Sequence, residues 1–369
     1  MRSWSGPVPV STAAAAEPRR VQRSTLRVLA WPGLGARRSN PYTWLLYSHL
    51  AALGIRTDDF SLVRALWSGY DILHLHWPDK ALNARRLPVR AAGALAALTL
   101  VAAARRRGAR VVWTAHNATP HESRHPGLER RFWTALVRRV DGVIHLSDAG
   151  RRMVESRFPE LAGRPSTVIP AGHFRGSYPD TITPAEARRA LGLSAEAPVI
   201  AFLGLIRGYK DVPHLVRTVR ALPDDVILLV AGAPQPRSLA DEVRSAAGGD
   251  PRIRLTLGHV PDDKVQVYLR AADLVALPFR DITNSGSALL ALGFDRPVLV
   301  PGRGAMGELQ ALAGSEWVRT YEGELTPTLL ADALEWARAE RPQAPPPLEA
   351  LDWSRIAEET LAFYRTLEC

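Results

Sequence analysis

Short apolar, β-rich runs alternate with amphipathic stretches along almost the whole chain, and no other feature restricts the fold as strongly. Buried parallel strands joined by crossover helices produce this pattern; a half-exposed antiparallel sheet would instead alternate polar and apolar residues within each strand. In the first half the runs predict strands at 26–31, 71–76, 110–115, 142–147 and 166–170, with helices near 41–53, 89–107, 127–139 and 148–157. Ser147 stands before the last of these as an N-cap. The pattern breaks over 171–196, where Gly172, Gly176, Pro179 and Pro184 accompany one short helix near 184–191. It restarts with strands at 198–204, 226–232, 252–257, 273–277 and 297–300. Pro345 to Pro347 form a stiff tract before a final amphipathic helix over 353–367, and no internal repeat is present.

At 369 residues the chain is long for one domain. The expected fold class is therefore α/β, with two Rossmann-like, doubly wound domains facing each other across a cleft. Residues 1–24 are read as a disordered leader, 25–175 as the N-terminal domain and 176–352 as the second domain. The closing segment 353–369 is expected to pack back on the first domain. In open α/β sheets ligands bind beyond the carboxyl ends of the strands, so residues just after strands carry the functional weight.

Composition narrows the setting. Cys369 is the single cysteine, so no intrachain disulfide or cysteine metal site can form, which fits a reducing compartment. The formal charge is +10, and only Lys80, Lys210 and Lys264 are lysines among the 47 basic residues. That excess of arginine fits GC-rich coding or attraction to anionic partners. The arginines are spread along the chain with no recognition-helix or aromatic-basic RNA motif, which argues against nucleic acid. The longest uncharged apolar run, Ala91 to Ala104, is shorter than the ~20 residues that span a bilayer. The N-terminus lacks the apolar block of a secretory signal. A cytoplasmic protein is expected.

Two segments of the second half are built for an anion. In Phe202-Leu203-Gly204-Leu205-Ile206-Arg207-Gly208-Tyr209-Lys210 a buried strand runs into Gly204 and then meets two cations. The glycines let backbone approach a ligand, Arg207 can fork two hydrogen bonds to phosphate oxygens, and Lys210 supplies a point charge. A surface loop with two solvated cations would have the same spacing. In Phe279 to Ser287 another strand end opens a helix, where Asn284 or Ser285 can cap. The free N–H groups near Gly286 and Ser287, with the helix dipole, favour an anion. Capping alone would explain Asn-Ser but not the small residues around it.

These segments give the chain a resemblance. The second half resembles the donor domain of GT-B glycosyltransferases, especially the large retaining group with sucrose-synthase-like and mannosyltransferase members. In that group a strand–Gly–x–x–Arg–x–x–Lys segment holds the donor diphosphate, matched by Gly204, Arg207 and Lys210. Its Gly–x–Val turn against the nucleobase is similar to Gly258-His259-Val260, followed by Ala271-Ala272-Asp273. Its closing helix is similar to Trp353, Ile356, Ala357, Leu361 and Tyr364. The likeness is good over 140–369 and loose over 25–140. Ile282 and Leu290 stand where the group carries two glutamates. With Asn284-Ser285-Gly286-Ser287 this resembles a divergent bacterial branch that builds exopolysaccharide or glycolipid repeats and includes inverting β-mannosyltransferases, so the stereochemical course stays open.

On the acceptor side, His116 and Asn117 follow the strand Val112 to Ala115, at the cleft, where relatives carry a histidine touching the donor sugar. An imidazole there can donate to a sugar hydroxyl or take a proton near neutral pH. Glu122, His116 and Asp79 are the candidate bases, with His121 beside Glu122. His74 and His76 share a strand face and lead to Trp77 and Asp79; they suggest a cleft wall more than a metal pair, since no third ligand is evident. Tyr42 and Trp44 could stack on an acceptor sugar or merely pack. Helix 128–139 mixes Arg130, Arg131, Arg138 and Arg139 with Phe132, Trp133 and Leu136. It could lie on an anionic membrane, or bury one face and solvate the other.

The activity these features imply is metal-independent transfer of a hexose from a nucleoside diphosphate sugar, a co-substrate and not a resident cofactor, to a glycan or lipid-linked acceptor. Such an enzyme would be cytoplasmic or peripheral at the inner face of the plasma membrane. A nucleotide-sugar epimerase of the same fold is the alternative. For a donor site of this kind, Arg207 and the amide of Gly286 must face one gap.

Overall fold

The computed structural model describes residues 26–36, 41–67, 69–84, 86–117, 125–339, 342 and 344–367. The leader, Glu122, His121 and Cys369 lie outside the described residues. The first half runs β1 (Arg27–Trp31), α1 (Pro41–Ala52), β2 (Arg56–Asp59), α2 (Leu62–Trp67), β3 (Ile72–Leu75), α3 (Leu87–Arg106), β4 (Arg110–Ala115), α4 (Pro126–Val137), β5 (Gly142–His145), α5 (Asp148–Arg157) and β6 (Ser166–Val168). After α6 (Pro184–Ala190) come β7 (Val199–Leu203), α7 (Val212–Arg220), β8 (Ile227–Ala231), α8 (Leu239–Ala247), β9 (Ile253–Thr256), α9 (Asp262–Ala271), β10 (Leu274–Ala276) and α10 (Gly286–Gly293). β11 (Val298–Pro301), α11 (Met306–Ala313), β12 (Val318–Tyr321), α12 (Pro327–Ala339) and α13 (Trp353–Thr366) complete the chain.

Two parallel six-stranded sheets result, ordered β2-β1-β3-β4-β5-β6 and β12-β11-β10-β7-β8-β9. The central strands β3, β5, β7, β10 and β11 are buried along their full length, which is why they read as unbroken apolar runs. Two strands are not among those expected from the sequence. β2 (RTDD) and β12 (VRTY) each pair with one neighbour at a sheet edge, where a strand needs less apolar surface. Ser147 does cap α5, its Oγ accepting from Gly150 N at 3.0 Å.

In the N-terminal sheet the pleat sends Leu29, Leu73, Leu75, Val111, Trp113 and Val143 into a core shared with α3 and α4. The opposite face packs with α1 and α13, which lie against each other. The chain crosses to α13 where Trp353 seats on Gly172: a Cβ there would fall 2.3 Å from the indole, and Trp353 Nε1 donates to His173 O at 2.7 Å.

Two expectations change. The apolar run Ala91 to Ala104 belongs to a 20-residue helix, α3, with a mean hydropathy of 1.7 over 18 residues, long and apolar enough by composition to cross a membrane. Here it packs against α2 and α4 on the sheet, with Ala94, Ala97, Leu100, Val101 and Ala104 buried and Arg90 paired inside. The α4 aromatics Phe132 and Trp133, together with Leu136, are buried in the core, leaving Arg130, Arg131 and Arg138 exposed. The membrane-facing surface suggested for this helix therefore holds arginines and no aromatic anchor.

Candidate active site

The order of the second sheet reverses at β7, with β8 and β9 on one side and β10 on the other. Loops leaving β7 and β10 diverge at such a point and leave a crevice between them. The two anion-binding segments read from the sequence are those loops. Gly204 follows β7 with φ +134, and a Cβ on it would stand 2.9 Å from Ser287 Oγ and 3.5 Å from Lys210 Nζ. Segments more than eighty positions apart therefore close on one spot, and only glycine leaves it open. Gly232, at the end of β8, is needed for the same reason: a Cβ there would overlap Gly204 O at 1.8 Å.

Ser285 caps α10, its Oγ accepting from Ala288 N at 3.1 Å. The first-turn amides of Gly286 and Ser287 have no partner inside the helix, and both residues line the crevice at the positive end of its dipole. Among the described residues neither Arg207 nor the Lys210 side chain has an ion-pair partner. Lys210 is buried over Phe279, its Nζ 5.1 Å from the ring centroid. Burial first, then the charge of Arg207, bring its pKa down to about 8. Adjacent unpaired cations beside a helix start make a site that an anion stabilises.

Arg280 fixes this arrangement. Its Nε and Nη2 donate to Asp211 at 2.6 and 2.8 Å, and its main-chain N donates to Tyr209 O at 2.7 Å, so the two loops are stitched together. Asp211 holds a left-handed backbone, φ 50, to end the turn that carries Lys210.

Across from these groups lies the N-terminal half, and together they enclose a cleft of about 730 Å³. His116 lines it, its ring stacked on Trp77 at 4.2 Å and 22°. Asn117, Asp79, Lys80 and Asn83 continue the wall to a buried ion pair, Arg90 Nη1 to Glu129 Oε1 at 3.2 Å. Asn284 Nδ2 donates to His116 O at 3.2 Å, joining the start of α10 to the opposite wall.

The sequence as a whole places this architecture. Residues 197–335 match the family described as glycosyl transferases group 1. Over 368 residues, 99% of this chain and 96% of the relative, it is 34% identical to the GDP-mannose:glycolipid 4-beta-D-mannosyltransferase of Xanthomonas campestris pv. campestris. The chain belongs to the group 1 glycosyltransferases. Among solved structures, sucrose-phosphate synthase from Thermosynechococcus elongatus matches with a TM-score of 0.68 at 18% identity, over 93% of this chain and 99% of that one. Anabaena HepE in complex with UDP-glucose matches at 0.61 and 16%, over 93% and 98%. The fold is therefore the GT-B arrangement, and the reaction class is glycosyl transfer.

In this glycosyltransferase the expected site residues fall into two groups. Gly204, Arg207, Lys210, Asn284, Ser285, Gly286, Ser287, His116, Asn117, Trp77 and Asp79 all line the cleft. Tyr42 does not: it is buried behind His116, edge-on at 4.8 Å and wedged against Trp353, because α1 turns it inward. Trp44 packs on the core and is likewise absent from the cleft. His76 meets the cleft only at its inner edge, being 1% exposed, and stands behind His116. His259 is exposed and Val260 half-buried after β9, the outermost strand, away from the cleft lining. All four ring nitrogens of His74 and His76 have hydrogen-bond partners among the described residues, and no cluster of three or more His, Cys, Asp or Glu there is arranged to hold a metal ion. Three groups are invisible in the sequence: the Arg280–Asp211 stitch, the Arg90–Glu129 pair and Glu308. The Glu308 carboxylate accepts from Asp148 N and Ala149 N, at 2.9 and 2.7 Å, and so caps α5 from the other domain.

Proposed function

We propose that this glycosyltransferase moves mannose from GDP-mannose to a lipid-linked glycan with inversion, as the name of its 34%-identical relative suggests. The observation that carries the donor reading is the convergence of Gly204, Lys210 and Ser287 beside two cations that no carboxylate among the described residues neutralises. The diphosphate sits there, and Arg207, Lys210 and the α10 amides stabilise charge as it leaves. Those groups do the work a metal does in other transferases. GDP-mannose carries its sugar through an α-linked phosphate, so a β product calls for one displacement from the opposite face.

His116 touches the sugar as a neutral hydrogen-bonding group. Burial, then the charges of His74 and Lys80, push its pKa down to about 3, which makes it a poor base at neutral pH. The acceptor proton goes to a carboxylate, for which Asp79 in the cleft wall and Glu122, six positions past His116 in the sequence, are the candidates. The lipid-linked acceptor enters past Asn83 and Arg90. There the first turn of α3 leaves Leu87 and Val89 at 48% and 56% exposure, with Leu95 at 67% two turns on. With the exposed Arg86, Arg130 and Arg131, this apolar face suits the anionic inner leaflet, a peripheral position on the cytoplasmic side.

Thermal unfolding with a panel of GDP-, UDP- and dTDP-sugars tests the donor. A ligand at 100 times its Kd adds about 2.7 kcal/mol, so GDP-mannose is expected to raise Tm by several degrees and the others little. An equal or larger shift with UDP- or dTDP-sugars would exclude the guanosine donor.

A further inference from the structure

Behind His116 a chain of buried hydrogen bonds runs through the N-terminal domain to the last helix. His116 Nε2 meets His76 Nδ1 at 3.1 Å, and His76 Nε2 meets Tyr47 Oη at 2.7 Å. His74 Nδ1 then lies against two hydroxyl oxygens, Tyr47 Oη at 3.0 Å and Tyr364 Oη at 2.6 Å, while His74 Nε2 meets Thr114 Oγ1 at 2.7 Å. Tyr47, His74, His76, Thr114 and Tyr364 are each no more than 1% exposed. His116 alone among them is partly open to the cleft, and its Nδ1 has no partner among the described residues.

Five polar side chains are seldom buried in a row for packing alone, because each member left without a partner loses its hydration with nothing in return. This row is fully satisfied, and it ends at the one histidine that borders the proposed sugar position. We propose that His76, backed by Tyr47 and through it by Tyr364, is a positioning residue that holds His116 in one ring orientation and one tautomer with Nδ1–H turned to the cleft. Its importance for turnover rests on the assignment of His116 to the sugar.

Proton counting gives the polarity. Tyr364 O–H fills the single lone pair of His74 Nδ1 at the shortest contact in the row. The Tyr47 proton is left for His76 Nε2, its nearer partner. His76 then has its own proton on Nδ1, donates it to His116 Nε2, and leaves the His116 proton on Nδ1. Burial keeps all three imidazoles neutral at physiological pH, with His74 and His116 at about 3 and His76 also lowered. Besides the other imidazoles, Tyr42 on α1 lies edge-on to the His116 ring and Lys80 after β3 acts on it, while Asp79, Arg207, Lys210 and Asp281 line the same cleft. Because Tyr364 lies on α13, which follows the second domain in the chain, the acceptor wall is completed only when the C-terminus has packed.

Side-chain geometry supplies the test. Asparagine places an amide nitrogen where His76 has Nδ1, so H76N keeps the bond to His116; glutamine reproduces Nε2, so H76Q keeps Tyr47 and loses His116. Ring-nitrogen NMR of the full chain, with H116A to assign the signal, is expected to show wild-type His116 as the neutral Nδ1–H tautomer with no titration from pH 8 to 5. H76N should match it. H76Q and Y47F should give mixed tautomers with a titration in that range. GDP release from GDP-mannose, with total bacterial lipid extract as acceptor source, should fall on the order of 100-fold in H76Q and recover in H76N, with KM for the donor little changed. A wild-type Nε2–H tautomer, or an H76Q whose His116 signal matches wild type, would overturn the positioning role. Should H116A turn over like wild type, the sugar assignment fails, and the tautomer result still decides whether His76 orients the ring. GDP binding and Tm identify a variant that has merely unfolded; in that event Y47F, which deletes one hydroxyl, decides the matter by the same tautomer measurement.

Discussion

Asn284, at the mouth of the donor helix, donates from Nδ2 to the main-chain oxygen of His116, 3.2 Å away on the other domain. The bond joins the two halves at the place the proposed function gives to the sugar and diphosphate, and it links residues 168 positions apart. A neutral hydrogen bond contributes about 0.5–1.5 kcal/mol. N284A is therefore expected to lower kcat roughly 3- to 10-fold while GDP affinity stays near wild type, as steady-state kinetics and calorimetry would show. An equal loss in GDP affinity would mean that Asn284 serves the nucleotide and not the junction.

Lys210 gives the donor site a pH signature. Its folded pKa lies near 8, below the ordinary 10.5, so the charged form is disfavoured before any anion binds. A bound diphosphate raises that pKa, and binding takes up a proton once the free enzyme has begun to lose it. GDP affinity should accordingly be level below pH 7 and fall through pH 8 to 9. R207A, which removes the neighbouring cation, should move the fall to higher pH, and K210R should abolish it. Calorimetry in buffers of different ionisation enthalpy would register the proton.

Glu308 offers a test of how the domains are coupled. Its carboxylate accepts from two first-turn amides of α5, a cap supplied across the cleft. The group is exposed, so E308A is expected to cost only about 1 kcal/mol of stability. The larger effect should be on shape, with a more open average cleft and a larger radius of gyration in solution scattering, reversed by saturating GDP-mannose. An unchanged scattering profile would show that closure does not depend on this cap.

The legibility of the chain follows from how local each signal is. Strand ends that feed the donor site are readable because Gly204 and the cations after it sit within seven residues, and because β7 and β10 are buried runs. β2 and β12 are not, since edge strands carry Asp58 or Arg319 where a central strand would carry valine. Tyr42 and Trp44 follow a strand, which by the general rule for α/β sheets puts them at the cleft; the register of α1 instead buries Tyr42 and leaves Trp44 half-buried against the core. The Arg280–Asp211 pair, the Glu308 cap and the Tyr364–His74 bond join residues 69, 160 and 290 positions apart, and no spacing rule announces them. In the sequence Tyr364 is visible only as part of a closing helix pattern.

One cradle for the donor diphosphate, formed by Arg207, Lys210 and the first amides of α10, underlies the proposed activity. GDP binding by calorimetry to the wild type and to the R207A/K210A double variant tests it directly. Two charge-assisted contacts at about 1.5–3 kcal/mol each predict a loss of 100-fold or more, with Tm of the free protein unchanged or higher once the two cations no longer repel. A double variant that folds and binds GDP within twofold of wild type would contradict the assignment.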